Sequence, residues 1–221
     1  MKKIILASAA LIASACITPA FAADTASWAN WSSLSSGSLQ QGGNAITVSY
    51  DGENFGIDHN AYIYDVPTSF TNAAVTNTPG TNGTILMSGG GARINTFHFS
   101  QAVTNPYIDV FSVGQPGVPV SFNFLNGASF SILAQGAGHW GGGSLTQTSP
   151  TSFVGREGNG LLQFHGTFTD ISFTTPDNEF YYGATIGVPA VPEPETWAMM
   201  FAGLGLLGFA ARRKKASKPV K

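Results

Sequence analysis

Between residues 23 and 188 the apolar side chains recur with a period of two and nowhere with a convincing period of 3.6. That pattern admits strands and argues against amphipathic helices. Phe180, Tyr182, Ala184, Ile186 and Val188 fall on one face of an extended chain, as do Val118, Val120, Phe122 and Phe124. Phe130 and Ile132 continue the pattern after Asn126-Gly127, and Asn-Gly between alternating segments is the strongest short hairpin signal. Leu162, Phe164 and Phe168 align around Gly166 as another strand. Further strands are expected over Ala45–Tyr50, Ala61–Val66, Thr84–Ser88, Arg93–Phe99 and Tyr107–Val113. The last is apolar on both faces apart from Asp109 and Ser112, as for a strand held between two layers. About nine or ten short strands with Gly, Pro and Asn between them predict an all-β fold, an antiparallel β-sandwich of jelly-roll type. No repeat at a fixed period calls for a solenoid or a propeller.

Charge narrows the partners of this segment. Ten acidic side chains from Asp24 to Glu179 face two basic ones, Arg93 and Arg156, so the segment carries a net −8 (−10 + 2) although the whole chain is −2. Such a surface is unsuited to nucleic acid, whose phosphates need Lys and Arg. Neutral sugars, divalent cations or water suit it better. The sequence has no Gly-x-Ser-x-Gly elbow, phosphate loop or dinucleotide fingerprint, so neither a catalytic residue nor a cofactor is assigned.

The two ends of the chain are of another kind. Lys2-Lys3, an apolar stretch from Ile4 to about Ile17 and Ala20-Phe21-Ala22 have the parts of a secretory signal peptide, cut by signal peptidase after Ala22 or Ala23. A lipoprotein reading, with Ala13-Ser14-Ala15 before Cys16, competes. Cys16 is the only cysteine, so cleavage after it leaves a chain that forms no disulfide in an oxidising compartment. At the other end, residues 196–211 are uncharged and as a helix would be about 24 Å long. That is short for a hydrocarbon core of about 30 Å, but Trp197 at one interface and long basic side chains at the other make up the deficit. Pro192 and Pro194 stop the helix upstream. Arg212, Arg213, Lys214 and Lys215 follow it, which places the C-terminus in the cytoplasm and residues 23–188 outside. The expected organisation is a signal peptide (1–22), a β-sandwich ectodomain (23–188), a Pro-rich stalk (189–195), a short transmembrane helix (196–211) and a basic tail (212–221).

The order Pro192-Glu193-Pro194, Trp197, a Gly/Leu/Ala-rich run such as Phe201-Ala202-Gly203-Leu204-Gly205-Leu206-Leu207-Gly208, and a terminal basic cluster resembles the PEP-CTERM sorting signal of Gram-negative bacteria. The resemblance implies handling by exosortase, a membrane transpeptidase-like enzyme, in organisms that make exopolysaccharide. It covers about a tenth of the chain and gives an address, not an activity. Asn105-Pro106-Tyr107, Ser112-Val113-Gly114-Gln115, Trp140-Gly141-Gly142-Gly143-Ser144-Leu145, Glu157-Gly158-Asn159-Gly160 and Phe180-Tyr181-Tyr182-Gly183 are similar to an ectodomain that recurs among such proteins. That likeness carries no site residues with it.

Candidate ligand-binding residues are few. His139 and Trp140 lie in the Gly-rich segment 136–143, which reads as a flexible loop that offers an imidazole and an indole to a sugar ring; the alternative is a Trp folded back on the sandwich edge. Arg156 and Glu157 precede a strand and offer a polar grip or a local turn network. Asp51, Glu53 and Asp58 are spaced unlike an EF-hand loop, and His59, His98 and His165 lack metal-site spacing, so no metal is assigned. These features point to an exported structural or carbohydrate-binding protein of the cell surface or the exopolysaccharide matrix of a biofilm. The rival from another class is a polysaccharide hydrolase or lyase using acids among Asp109, Glu157, Asp170 and Asp177, with Glu179 also available. An ice-binding or adhesive surface ranks third, because no Thr-x-Thr ladder recurs at fixed spacing.

Overall fold

A computed structural model describes residues 25–190, Phe201 and residues 203–207. The expected signal peptide, the sorting motif Pro192, Glu193, Pro194 and Trp197, and the basic Arg212, Arg213, Lys214 and Lys215 lie outside these. Phe201 and residues 203–207 are helical and exposed, and the rest of the expected span at 196–211 lies outside the described residues. Among the described residues no helix is long and apolar enough to cross a membrane.

Two antiparallel sheets face each other, and the strands are numbered in chain order. The first five are β1 (Ala26–Trp28), β2 (Asn30–Ser33), β3 (Ser36–Gln41), β4 (Asn44–Asp51) and β5 (Gly56–Asp58). After a long connection come β6 (Thr84–Gly89), β7 (Asn95–Thr104), β8 (Tyr107–Val113), β9 (Val120–Phe124) and β10 (Phe130–Gly136). The last are β11 (Leu145–Ser149), β12 (Ser152–Gly155), β13 (Gly158–Phe164), β14 (Thr167–Thr174) and β15 (Asn178–Pro189). One sheet runs β10-β13-β8-β15-β6-β5, with β1 also on β15; the other runs β11-β12-β9-β14-β7-β4-β3-β2. The molecule is an all-β sandwich.

Alternation explains the layers. In β4, Ile46, Val48 and Tyr50 are buried and Thr47 is exposed. Phe122 of β9 stacks on Phe153 of β12 at 4.9 Å and on Phe173 of β14 at 5.2 Å. Each such pair adds about 0.5–1.5 kcal/mol beyond burial alone. The indole Nε1 of Trp31 in one sheet donates to Thr185 Oγ1 in the other at 3.0 Å, both fully buried. Every residue of β8 is buried, because the inner face meets the opposite sheet and the outer face is roofed by the connection from β5 to β6. Ile63, Tyr64 and Phe70 of that roof pack with Phe111.

Some expectations are corrected. Ala61–Val66 is not a strand: Ala61–Tyr64 is a 3-10 turn, followed by a second at Pro67–Ser69. Its alternating apolar residues cover a sheet face from outside and have no edge to pair with. Leu162–Phe168 is two strands, reversing at His165-Gly166, where Gly166 has φ +126°. Asn126 and Gly127 both take positive φ, 55° and 74°, as a type I′ turn requires, and Ala128 N–H closes it onto Leu125 O at 3.1 Å. Yet the turn joins β9 and β10 in different sheets, so it is a corner and not a hairpin. Strands β1–β3 escaped the sequence pattern because they are rich in Ser, Gly and Gln and gain their place by pairing.

Candidate functional site

Two interruptions of the seven-stranded sheet lie side by side on its outer face. Between β15 and β6 the register passes from Asn178–Gly89 to Tyr182–Met87, so Glu179, Phe180 and Tyr181 drop out of the ladder. Between β13 and β8 it passes from Gly158–Val113 to Gly160–Val110, leaving an extra residue on β8. Ser112 there adopts φ +53°, and Glu157, just before β13, adopts φ +64°. Left-handed backbone at non-glycine residues is uncommon, and bulges re-aim side chains that a regular strand would turn inward or outward in alternation. Asn159, 1% exposed, secures this arrangement. Its Oδ1 accepts the Ser112 N–H at 2.9 Å and its Nδ2 donates to Glu157 O at 3.2 Å.

The displaced residues wall an open cavity of about 430 Å³ together with Tyr62 from the roof and Trp140. Its size suits a small-molecule ligand. Trp140 is 51% exposed and rests on Tyr181 at 5.0 Å, Phe111 at 5.1 Å and Tyr62 at 5.5 Å. Phe180, also on the cavity wall, is 86% exposed. The Tyr62 and Tyr181 hydroxyls both donate to Asp58 Oδ2, at 2.5 and 2.9 Å, which fixes the two rings. Those bonds lower the Asp58 carboxyl against the opposing effect of burial, and burial together with the bond to Asp58 raises the Tyr62 phenol.

The polar side of the cavity is acidic. Glu157 Oε1 accepts from Ser112 Oγ at 2.5 Å. Glu179 is 6% exposed; its Oε1 accepts the Tyr181 N–H at 3.3 Å, and its Oε2 is sealed from solvent without a hydrogen-bond partner. Burial raises its carboxyl above the ordinary range, and the charge of Glu157 adds to that.

The segment 136–143 is pinned. Gly138 and Gly141 bond reciprocally, N–H to O at 2.6 and 3.4 Å, with His139 and Trp140 at the tip. A Cβ at Gly143 would fall on the Arg156 carbonyl oxygen, so only glycine permits this contact. His139 Nδ1 lies 2.6 Å from Asp65 Oδ2 and its ring 4.9 Å from that of Tyr62. His139 thus stays with the roof, and Trp140 alone of the pair walls the cavity. Arg156 is exposed and outside the walls, whereas Glu157 is part of them.

Other singled-out acids are dispersed. Asp51 pairs with Arg93 at 2.7 Å and Glu53 accepts from Ser88 Oγ at 2.7 Å, whereas Asp58 serves the two tyrosines. Asp170 pairs with His98 on the other sheet, Asp177 accepts the Ser121 N–H at 2.8 Å, and Asp109 is buried beneath the roof. Phe180 and Tyr181 did not stand out as site residues in the sequence, and Glu179 did so only as one of five acids that no spacing brings together. Their alternation reads as a regular strand, and the bulge that displaces them has no signal in the period of two.

Residues 190–214 match the family model of the PEP-CTERM protein-sorting motif. No curated protein and no solved structure matches the chain. The tail is therefore that of a PEP-CTERM protein, sorted to the cell surface by exosortase, and residues 25–189 precede the match.

Proposed function

We propose, from the premise that this chain carries a PEP-CTERM sorting motif, that it serves outside the cell as a carbohydrate-binding component of the surface or its exopolysaccharide matrix. The observation that carries this reading is the half-exposed Trp140, held by three aromatic rings at the mouth of a cavity with acceptors on its other side. A rigid indole face suits the apolar face of a pyranose, and fixed acceptors suit its hydroxyls. In this reading a signal peptidase removes residues 1–22, the helix at 196–211 holds the chain N-out and C-in, and exosortase acts near Pro194. Polysaccharide pull-down with the producing cells' own polymer tests it: retention is expected for the native chain and a loss of at least tenfold for Trp140→Ala. Equal retention of both, or none of the native chain, overturns the reading. Intact masses from membrane and matrix fractions test the processing; a full tail found only in membranes means a plain anchor.

One observation favours a second reading, a polysaccharide hydrolase. Glu157 and Glu179 both wall the cavity, and Glu179 is biased toward its neutral form. A neutral Glu179 would give its proton to a glycosidic oxygen as an ionised Glu157 takes one from the attacking water. Release of reducing ends that Glu157→Gln or Glu179→Gln abolishes supports it.

A further inference from the structure

We propose that the cavity selects a sugar bearing an ammonium group, a 2-amino-2-deoxy pyranose within a polymer, over the acetylated and the neutral sugar. The inference rests on reading the cavity as a sugar seat and names which sugar. Its walls carry two carboxyl side chains and no basic one. Within residues 25–190 the basic side chains besides histidine are Arg93 and Arg156; Arg93 is committed to Asp51 at 2.7 Å, and Arg156 is not a wall. The nearest imidazole, His139, is held by Asp65. Among the described residues the cavity walls thus hold no counter-charge to this acidic pair.

Two further observations make the missing charge belong to a ligand. Glu179 is more than nine-tenths buried, and its Oε2 finds no donor in the fold. A buried carboxylate with a sealed oxygen is costly to keep ionised unless a positive charge stands nearby. An ammonium seated in the cavity brings a positive charge that offsets both the burial of Glu179 and its repulsion from Glu157 without touching the sealed oxygen, and its donors are free for Glu157. The second is the aromatic lining. Tyr62, Trp140, Phe180 and Tyr181 line the cavity with π faces, and a cation within about 6 Å of such a face is attracted by the ring quadrupole. Because both phenols donate to Asp58, their hydroxyl protons are directed to that carboxylate and their rings become more electron-rich. An N-acetyl group carries no charge, and its amide N–H brings one donor in place of three. A plain hydroxyl meets the stacking surface but leaves the paired acids uncompensated.

Titration of the full-length chain in detergent with three soluble tetrasaccharides, β-linked glucosamine, its N-acetylated form and a neutral glucan, separates the possibilities. At about pH 6 the amine is protonated. The glucosamine oligomer is expected to bind at least tenfold more tightly than the other two, about 1.4 kcal/mol. Glu179→Gln is expected to bring the three within about threefold of one another, and Glu157→Gln supplies the same comparison if that variant fails to fold. Trp140→Ala, which leaves every charge in place, is expected to lose all three ligands. Equal binding of the three by the native chain overturns the preference for an ammonium and leaves the sugar seat standing. A preference unchanged in both carboxyl variants, or glucosamine binding undiminished in Trp140→Ala, also overturns it, because attraction then acts over the acidic surface at large. Binding of none of the three overturns the sugar seat itself.

Discussion

Replacing Asp109 by Asn should make the protein's stability less dependent on pH. Asp109 lies mid-sheet opposite Leu161 and Thr185, is 1% exposed, and neither carboxyl oxygen has a hydrogen-bond partner. Burial alone pushes its carboxyl well above the ordinary range. In the unfolded chain an aspartate ionises at about pH 3.9. Above that point the unfolded state has released this proton and the folded state still holds it. Stability therefore falls as pH rises, by about 1.4 kcal/mol per pH unit, and levels only beyond the folded-state value. Asp109→Asn removes the titration and leaves the other groups in place. Its stability relative to the native chain is thus expected to improve steadily as pH is raised stepwise from about 4.5, by up to about 1.4 kcal/mol per pH unit until the folded-state value is passed, whatever the offset at the starting pH. Urea unfolding of both proteins at these pH values, followed by far-UV circular dichroism, measures the difference. Parallel stability curves would refute the reasoning, since they require an Asp109 that is ionised and compensated in the folded state.

Three more outcomes follow from particular contacts. Gly143→Ala places a methyl on the Arg156 carbonyl and should cost about 1–3 kcal/mol in thermal or urea unfolding, with loss of polymer retention as the loop carrying Trp140 shifts. Trp31→Phe removes the indole that donates to Thr185 across the sandwich and leaves a buried hydroxyl and a void. It should cost about 2–4 kcal/mol by urea unfolding, and Thr185→Val in the same background should recover part of that. Phe180→Ser, at an 86% exposed position, should change stability by no more than about 0.5 kcal/mol and still weaken retention of the polymer.

The fold was legible wherever one face of a strand is buried and the other is not. Ile46, Val48 and Tyr50, or Tyr182, Ala184, Ile186 and Val188, announce their inner face by alternation, and the structure buries all seven in the core between the sheets. Legibility ends where burial has a different source. Phe180 continues the same alternation but stands outside, because register slips before Tyr182. Ile63 and Tyr64 look like strand residues but are buried by lying across a sheet. The Asn126-Gly127 turn was readable as a turn, but whether its flanking strands pair is decided by partners far along the chain, Phe124 with Phe173 and Phe130 with Phe164. Trp140 stood out in sequence by its chemistry; Glu179 was one acid among five there, because its burial and its sealed oxygen arise from the bulge.

The two ends of β15 place the cavity relative to the tail. At one end Pro189 pairs with Ala26 and Ala190 N–H donates to Thr25 O at 2.8 Å, so the chain enters and leaves the sandwich at the same place. At the other end Glu179–Tyr181 bulge into the cavity wall. The eight steps from Tyr181 to Pro189 at about 3.3 Å each separate them by about 26 Å. The segment carrying the sorting motif thus departs from the end of β15 remote from Trp140 and its aromatic neighbours. Retention of polymer at the cavity is accordingly expected to be the same for the tethered chain and for the chain freed by processing. A polymer retained by one form and not the other would mean that the tail, and not the bulged wall, completes the site.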